Sequence, residues 1–294
     1  MTGVDVPLRD IWAAVTEQGR ICALATRGTR DLQEVTAAHP ELFADATFDP
    51  ALLGSVATAI AFTAPGYDAA RLRTTTRTLL WVFAADWQVD YRARSADDVR
   101  RIVTDCLAVA DGATPPPGRH LARLLAEIRD DLAAVPAFTR RAGVWRDELA
   151  RMLAAVEREW HWKNDRSLPT FQEYLDNADN LACSFVNATH WLATGDDGCL
   201  RHLDELLAAG RGVQRVLRLV NDLATYRRDV RWGDLNALML VPDPAEVRQR
   251  LAALTDRTEQ ELGRLPDPDQ ADYLRRQIAY TSGFYQVSDF WGAA

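Results

Sequence analysis

Apolar residues recur three and four positions apart almost from end to end, and no stretch alternates with the two-residue period of a strand. The pattern predicts helices over residues 8–27 and 30–39, broken near Gly28, then over 51–64 and 68–90. Ser95-Ala96-Asp97-Asp98 has the form of an N-cap with an acidic first turn and opens a helix through about Ala110. Further helices are expected over 119–134 and 138–164. Thr170 and Glu173 make a capping box, which starts a helix running to about Ala193 with a break around Cys183 to Asn187. Residues 199–229, 236–240, 244–263 and 267–290 complete the set. Pro40, Pro50, Pro65, Pro115-Pro116-Pro117, Pro169 and Pro242 punctuate the connections, all of them short. Ten to twelve helices joined in this way indicate an all-α helical bundle forming one domain over residues 1–294.

Composition narrows the class. Hydrophobic residues make up 48% of the 294 positions, enough for a large buried core. The net charge of -8 argues against a nucleic-acid surface, which needs a basic excess. Cys22, Cys106, Cys183 and Cys199 are scattered, with no paired spacing, and read as reduced core residues of a cytoplasmic protein. The opening residues lack the layout of a signal peptide, and no apolar run approaches the roughly 18 residues of a membrane span. The Asn187-Ala188-Thr189 sequon is therefore expected to be silent.

Chemistry concentrates late in the chain. Asn221, Thr225 and Asp229 stand at i, i+4 and i+8, one stripe of a helix, and offer a carbonyl, a hydroxyl and a carboxylate. Such oxygens suit Mg2+; the same spacing also suits a solvated polar face. Arg228 stands beside the last of them and can reach an oxyanion held by the metal. Asp86 and Asp90 lie at i and i+4 where the apolar helix over 68–90 ends. Facing helix ends that both carry oxygen ligands are a recurring way to build metal sites in bundles. Two clusters imply several Mg2+ ions with a polyanion between them, and a diphosphate fits. There is no Gly-rich phosphate loop to suggest a nucleotide. Loss of diphosphate leaves a carbocation, which polarisable aromatic walls stabilise. Trp81, Phe83, Trp87, Phe185, Trp191, Phe284 and Tyr285 are the candidates, each of which could equally be an ordinary core aromatic.

These residues resemble class I terpene synthases. Asn221-Asp222-x-x-Thr225-x-x-Arg228-Asp229 matches the (N/D)DxxSxx(R/K)E type of second metal motif, with Thr for Ser and Asp for Glu. The resemblance covers roughly residues 60–290. It implies the class I fold around a central apolar cavity, and three Mg2+ ions. Asp86, supported by Asp90, would bridge two of them; Asn221, Thr225 and Asp229 would hold the third, and Arg228 would contact the diphosphate. Tyr285 would bind a phosphate oxygen or line the cavity, and Cys183 to Asn187 would fall near the helix break whose carbonyls face the cation.

Three departures from the family pattern stand out. The DDxxD motif reads Asp86-Trp87-Gln88-Val89-Asp90, without its second aspartate. The stretch Asp176-Asn177-Ala178-Asp179-Asn180 has no arginine where the family carries its diphosphate sensor. The C-terminal Arg-Tyr pair of many bacterial sesquiterpene cyclases is replaced by Phe284-Tyr285. The last two departures, with Glu173 to Ala178, look more like labdane-related, kaurene-synthase-like diterpene synthases. That implies a copalyl-type bicyclic diphosphate, supplied by a separate class II diterpene cyclase, and a labdane-related hydrocarbon or alcohol as product. No DxDD motif for protonation-initiated cyclisation is present. A sesquiterpene cyclase using farnesyl diphosphate and a non-catalytic isoprenoid-binding helical protein are the alternatives. The resemblance also allows a homodimer.

Overall fold

Helix α1 (Leu8–Ala38) runs through Gly28 without the expected break. A Cβ at Gly28 would sit 3.1 Å from Cβ of Ala57, so this glycine serves close approach of a second helix instead of ending the first. That helix, α2 (Pro50–Thr63), starts where Asp49 accepts from the Leu52 amide at 2.8 Å and Pro50 takes the first helical position. The computed structural model describes residues 8–195 and 197–292, and all regular structure among them is helical. Residues 1–7, part of the stretch read for a leader, lie outside the described residues.

Eight further helices follow, with the helix expected over 199–229 divided at His202. They are α3 (Ala69–Trp87), α4 (Ala96–Ala110), α5 (His120–Ala133), α6 (Pro136–Asn164), α7 (Phe171–Asp176), α8 (Cys183–Thr194), α9 (Asp197–Arg201) and α10 (Leu203–Trp232). Two more, α11 (Pro244–Leu262) and α12 (Pro268–Phe284), close the chain, and the short apolar helix expected over 236–240 is a 3-10 turn at Ala237–Met239. Both predicted caps are present, Ser95 on the Asp98 amide and the reciprocal Thr170–Glu173 box. Helix α8 is the centre of the bundle: ten of its twelve residues are buried, and α3, α6 and α10 pack against it. Ser184, Asn187, Thr189, His190 and Thr194 are buried along with its apolar residues, so this helix leaves no face for solvent.

Two irregularities position the cavity. Helix α3 passes into a π turn (Gln88–Arg92), closed by Ala93 N–H donating to the Gln88 carbonyl at 2.8 Å. The other is a break between α7 and α8, earlier than Cys183 to Asn187. A 3-10 turn (Ala178–Leu181) ends at Ala182, whose φ of 60° lies in the left-handed region. For a residue with a Cβ this conformation costs about 1–2 kcal/mol. The buried Gln214 holds both sides of the break. Its Oε1 accepts from the Ser184 amide at 2.9 Å, and its Nε2 donates to Asp179 at 2.7 Å.

The cysteines form no disulfide among the described residues. Cys106 and Cys199 are in the core and Cys183 is half-buried, but Cys22 is exposed, contrary to its reading as a core residue. Asn187 of the sequon is fully buried, out of reach of any modifying enzyme. No helix among the described residues is long and apolar enough to cross a membrane.

Candidate active site

A cavity of about 250 Å³ opens between α2, α3, α8, α10 and α12. Its floor and sides are apolar, with Ile60, Leu79, Val82, Val186 and Leu217 among the lining residues. Its mouth is charged. Asp86 and Asp90 come from the end of α3 and its π turn; Asn221, Asp222, Arg228 and Asp229 come from the last three turns of α10. The two motifs read from the sequence therefore meet across one opening.

The α3 wall carries more negative charge than its neighbours balance. Burial pushes the Asp86 carboxyl up to about 6, and the charge of Asp234 adds to this. Asp90 is pushed well above the carboxylate range, first by burial and then by Asp86, with Lys163 opposing. Asp86 and Asp90 are partly accessible from the cavity but sit so deep in protein that water does little to screen them. Lys163 is already engaged: its Nζ lies 2.5 Å from Oδ1 of Asp234, whose Oδ2 accepts from the Tyr91 hydroxyl at 2.8 Å.

The α10 wall is built differently. Thr225 Oγ1 lies 2.7 Å from Oδ2 of Asp229 and 3.5 Å from Oδ1 of Asn221, so three side-chain oxygens form a continuous row. Asn221 Nδ2 donates to the Tyr285 hydroxyl at 2.7 Å, which fixes the amide with its oxygen toward Thr225. Asp229 also accepts from Asn236 Nδ2 at 2.8 Å and from Arg228 Nη2 at 3.0 Å. Arg228 reaches Asp289 as well, at 3.4 Å.

Among the described residues no three His, Cys, Asp or Glu side chains converge on a metal position. The donors come instead as two under-compensated carboxylates on one wall and an amide–hydroxyl–carboxylate row on the other. This oxygen-only set fits a hard divalent cation: Mg2+ takes a few protein oxygens and leaves its other positions to water or phosphate. A cation between the walls would also supply the charge that Asp86 and Asp90 lack.

Several site residues escaped the sequence reading. Arg218 lines the cavity one turn before Asn221, buried among acceptors. It donates to Tyr174 at 2.7 Å and to Glu159 at 2.9 Å, and lies 3.7 Å from Asp222. Tyr174 in turn donates to Asp222 at 2.9 Å. Asp222 is thus spent on internal bonds, with its carboxyl raised to about 7 mainly by burial. The i−3 spacing of Arg218 from Asn221 was visible in the sequence and is the signal that could have found it. Phe290 and Trp291 also line the cavity, and their rings pack on Phe83 at 5.2 and 5.3 Å.

The aromatic candidates divide. Phe83 and Tyr285 face the cavity. Trp81, Phe185 and Trp191 do not: they are fully buried core residues outside the lining. Trp81 Nε1 donates to the Leu121 carbonyl and Trp191 Nε1 to Gln270, while Phe185 packs between Trp81 and Trp145. Trp87 lies behind the wall against Tyr91 and Trp291. Phe284 also supports from behind, stacked on Tyr280 and tilted against Phe290.

Residues 77–242 match the family "Terpene synthase family 2, C-terminal metal binding", a span that contains both walls of the mouth. The chain belongs to this family of terpene synthases. It is 28% identical over 219 residues to ent-pimara-9(11),15-diene synthase of a Streptomyces species, covering 71% of this chain and 74% of that one. A segment of 84 residues is 31% identical to the bifunctional cis-abienol synthase of Abies balsamea, covering 28% of this chain and 10% of that one. The fold is that of the linalool/nerolidol synthase of Streptomyces clavuligerus, solved with 2-fluorogeranyl diphosphate, at TM-score 0.70 and 17% identity over 90% of this chain and 94% of that one. The 2-methylisoborneol synthase of Streptomyces coelicolor, solved with Mg2+ and geranyl-S-thiolodiphosphate, superposes at TM-score 0.70 and 15% identity over 92% and 91% of the two chains. The protein is thus a class I terpene synthase, a lyase of the metal-binding family.

Proposed function

We propose that this synthase ionises a copalyl-type bicyclic diphosphate to give a labdane-related diterpene. Its substrate would come from a separate class II cyclase. The observation that carries the reading is the extended likeness to a diterpene synthase, 28% identity over 74% of the ent-pimaradiene enzyme. The Glu173 to Ala178 stretch and the missing arginine after Asp176 agree with it. We also place three Mg2+ ions at the mouth and treat residues 1–294 as one catalytic domain.

Magnesium held between Asp86, Asp90 and the Asn221–Thr225–Asp229 row would neutralise the diphosphate and make it a better leaving group. Arg228 stands next to that row and donates to the phosphate oxygens. Arg218, one helical turn deeper, adds a second guanidinium, which replaces the arginine missing near Ala178. Tyr285, already bonded to Asn221, offers its hydroxyl at the same level. Below the mouth the apolar walls exclude water while the cation rearranges, and Phe83, Phe290 and Trp291 present ring faces or edges to it.

The test is incubation of purified protein and Mg2+ with copalyl, geranylgeranyl, farnesyl and geranyl diphosphate in turn, reading released diphosphate and product mass. Diterpene from the copalyl substrate is expected. Turnover confined to farnesyl or geranyl diphosphate would overturn the substrate assignment and favour the sesquiterpene alternative or a monoterpene activity.

A further inference from the structure

Residues 285–291, the strap that follows α12, carry one charged side chain, Asp289, which the ionisation chemistry does not use. The strap joins the two walls of the mouth. Tyr285 is bonded to Asn221 on α10, while Phe290 packs on Phe83 of α3 and Trp291 on both Phe83 and Trp87. Trp291 also meets Phe48 before α2. Between these contacts Asp289 is buried, and its Oδ2 lies 3.4 Å from Nη1 of Arg228.

Arg228 thereby faces two carboxylates. Its Nε and Nη2 donate to Oδ1 of Asp229 at 3.2 and 3.0 Å, and its Nη1 faces Asp289. One guanidinium cannot balance two carboxylates, so the trio already carries an excess of negative charge. A diphosphate brings more negative charge to the same group, and one carboxylate must give way. Asp229 is also held by Thr225 and Asn236, at 2.7 and 2.8 Å. Asp289 is the looser partner of Arg228, because strong charge-assisted bonds measure roughly 2.7–2.9 Å. Gln286 and Val287 are exposed, so the strap has solvent on its outer side to receive a displaced carboxylate. Anchoring does not explain the contact: the aromatic contacts already fix the strap, and a buried ion pair adds little stability over apolar packing.

We propose that Asp289 is an internal stand-in for diphosphate: it holds Arg228 until substrate binds, then yields the guanidinium to the phosphate oxygens. This rests on the reading of Arg228 as a diphosphate contact. A binding group engaged elsewhere lowers the apparent affinity by the fraction of molecules in which it is engaged. Asp289 therefore weakens the hold on every diphosphate, substrate and product alike, and removing its charge strengthens that hold.

The experiment titrates inorganic diphosphate at saturating Mg2+ into wild type, Asp289→Asn, Asp289→Ser, Arg228→Gln and the double variant Arg228→Gln with Asp289→Asn. Calorimetry reads the affinity, and a thermal transition checks that each variant is folded. Arg228→Gln is expected to bind about tenfold more weakly than wild type, and each Asp289 variant about tenfold more tightly. In the double variant Asp289→Asn should bring no gain. A role in packing alone would lower the affinity or leave it as it is, so the sign separates the two roles. Unchanged or weaker binding in the Asp289 variants overturns this inference and leaves Arg228 as a phosphate contact. So does an equal gain in the double variant, which would make Asp289 a general repulsive charge. Loss of folding in both Asp289 variants makes the residue an anchor and overturns the inference too. Affinity untouched by Arg228→Gln overturns the reading of Arg228 itself, and this inference with it.

Discussion

The two walls of the mouth carry similar ligand chemistry but opposite electrostatics. On α3 and its π turn, burial raises the carboxyls of Asp86 and Asp90; the Asp234 charge adds to the first and the Asp86 charge to the second, while a hydrogen bond with Asp90 holds Asp86 down. On α10, Asp229 is held by Thr225, Asn236 and Arg228, and the Asn221 amide is locked by Tyr285. One wall is short of positive charge; the other is organised before any ligand arrives. The difference teaches which wall should respond to a cation. Metal binding should relieve the α3 wall and leave the α10 wall nearly unmoved.

Variants that break this contrast come in order of size. Asp86→Asn removes a charged ligand from the deficient wall and should lower kcat/KM by about a thousandfold, read as diphosphate release at saturating Mg2+. Next, Arg218→Gln strips the counter-charge from Glu159 and Asp222 and should destabilise the fold by about 3–5 kcal/mol in urea unfolding. A paired experiment then separates the walls without substrate. With metal removed, Asp90→Asn should raise stability, because it deletes a carboxyl whose charged form burial and the Asp86 charge disfavour. Asp229→Asn should lower it by about 2 kcal/mol through its three lost partners. Loss of stability in both would show that the walls do not differ.

The last contrast lies outside the mouth and serves as a control for pH studies of it. Burial, with the nearby Arg71 charge, holds the His190 imidazole down at about 3. The folded state therefore stays neutral while the unfolded chain takes up a proton below its ordinary value of 6.5. Stability from this group is present above that value and drains away as pH falls, by about 1.4 kcal/mol per pH unit once well below it. His190→Gln should flatten the stability profile between pH 6 and pH 4, measured by unfolding at each pH; an unchanged slope would contradict it.

Helix boundaries were legible wherever a local rule decides them, as at the Thr170–Glu173 box, and Asp49-Pro50 was legible as a turn. Gly28 misled because a glycine inside a helix looks like a break, whereas here it admits Ala57. The interruption at Ala182 has no local signature: alanine favours helix, and the left-handed turn is imposed by Gln214 gripping Asp179 and the Ser184 amide. At the site, the i, i+4, i+8 stripe of oxygens was readable because chemistry and period coincide. The aromatics were not, since Trp81 and Phe83 differ by two positions on one helix yet one is core and the other cavity wall. Hydrophobicity cannot distinguish packing against protein from facing an empty chamber. Arg218 was missed because its role depends on Glu159 and Tyr174, both more than forty residues away in the chain.

Calorimetric titration of inorganic diphosphate into the purified protein, with Mg2+ and then with excess chelator, tests the two-wall clamp most directly. The account predicts binding at least ~100-fold tighter with Mg2+, and loss of that gain in both Asp86→Asn and Asn221→Leu. Equal affinity with and without Mg2+, or an undiminished gain in either variant, would contradict it.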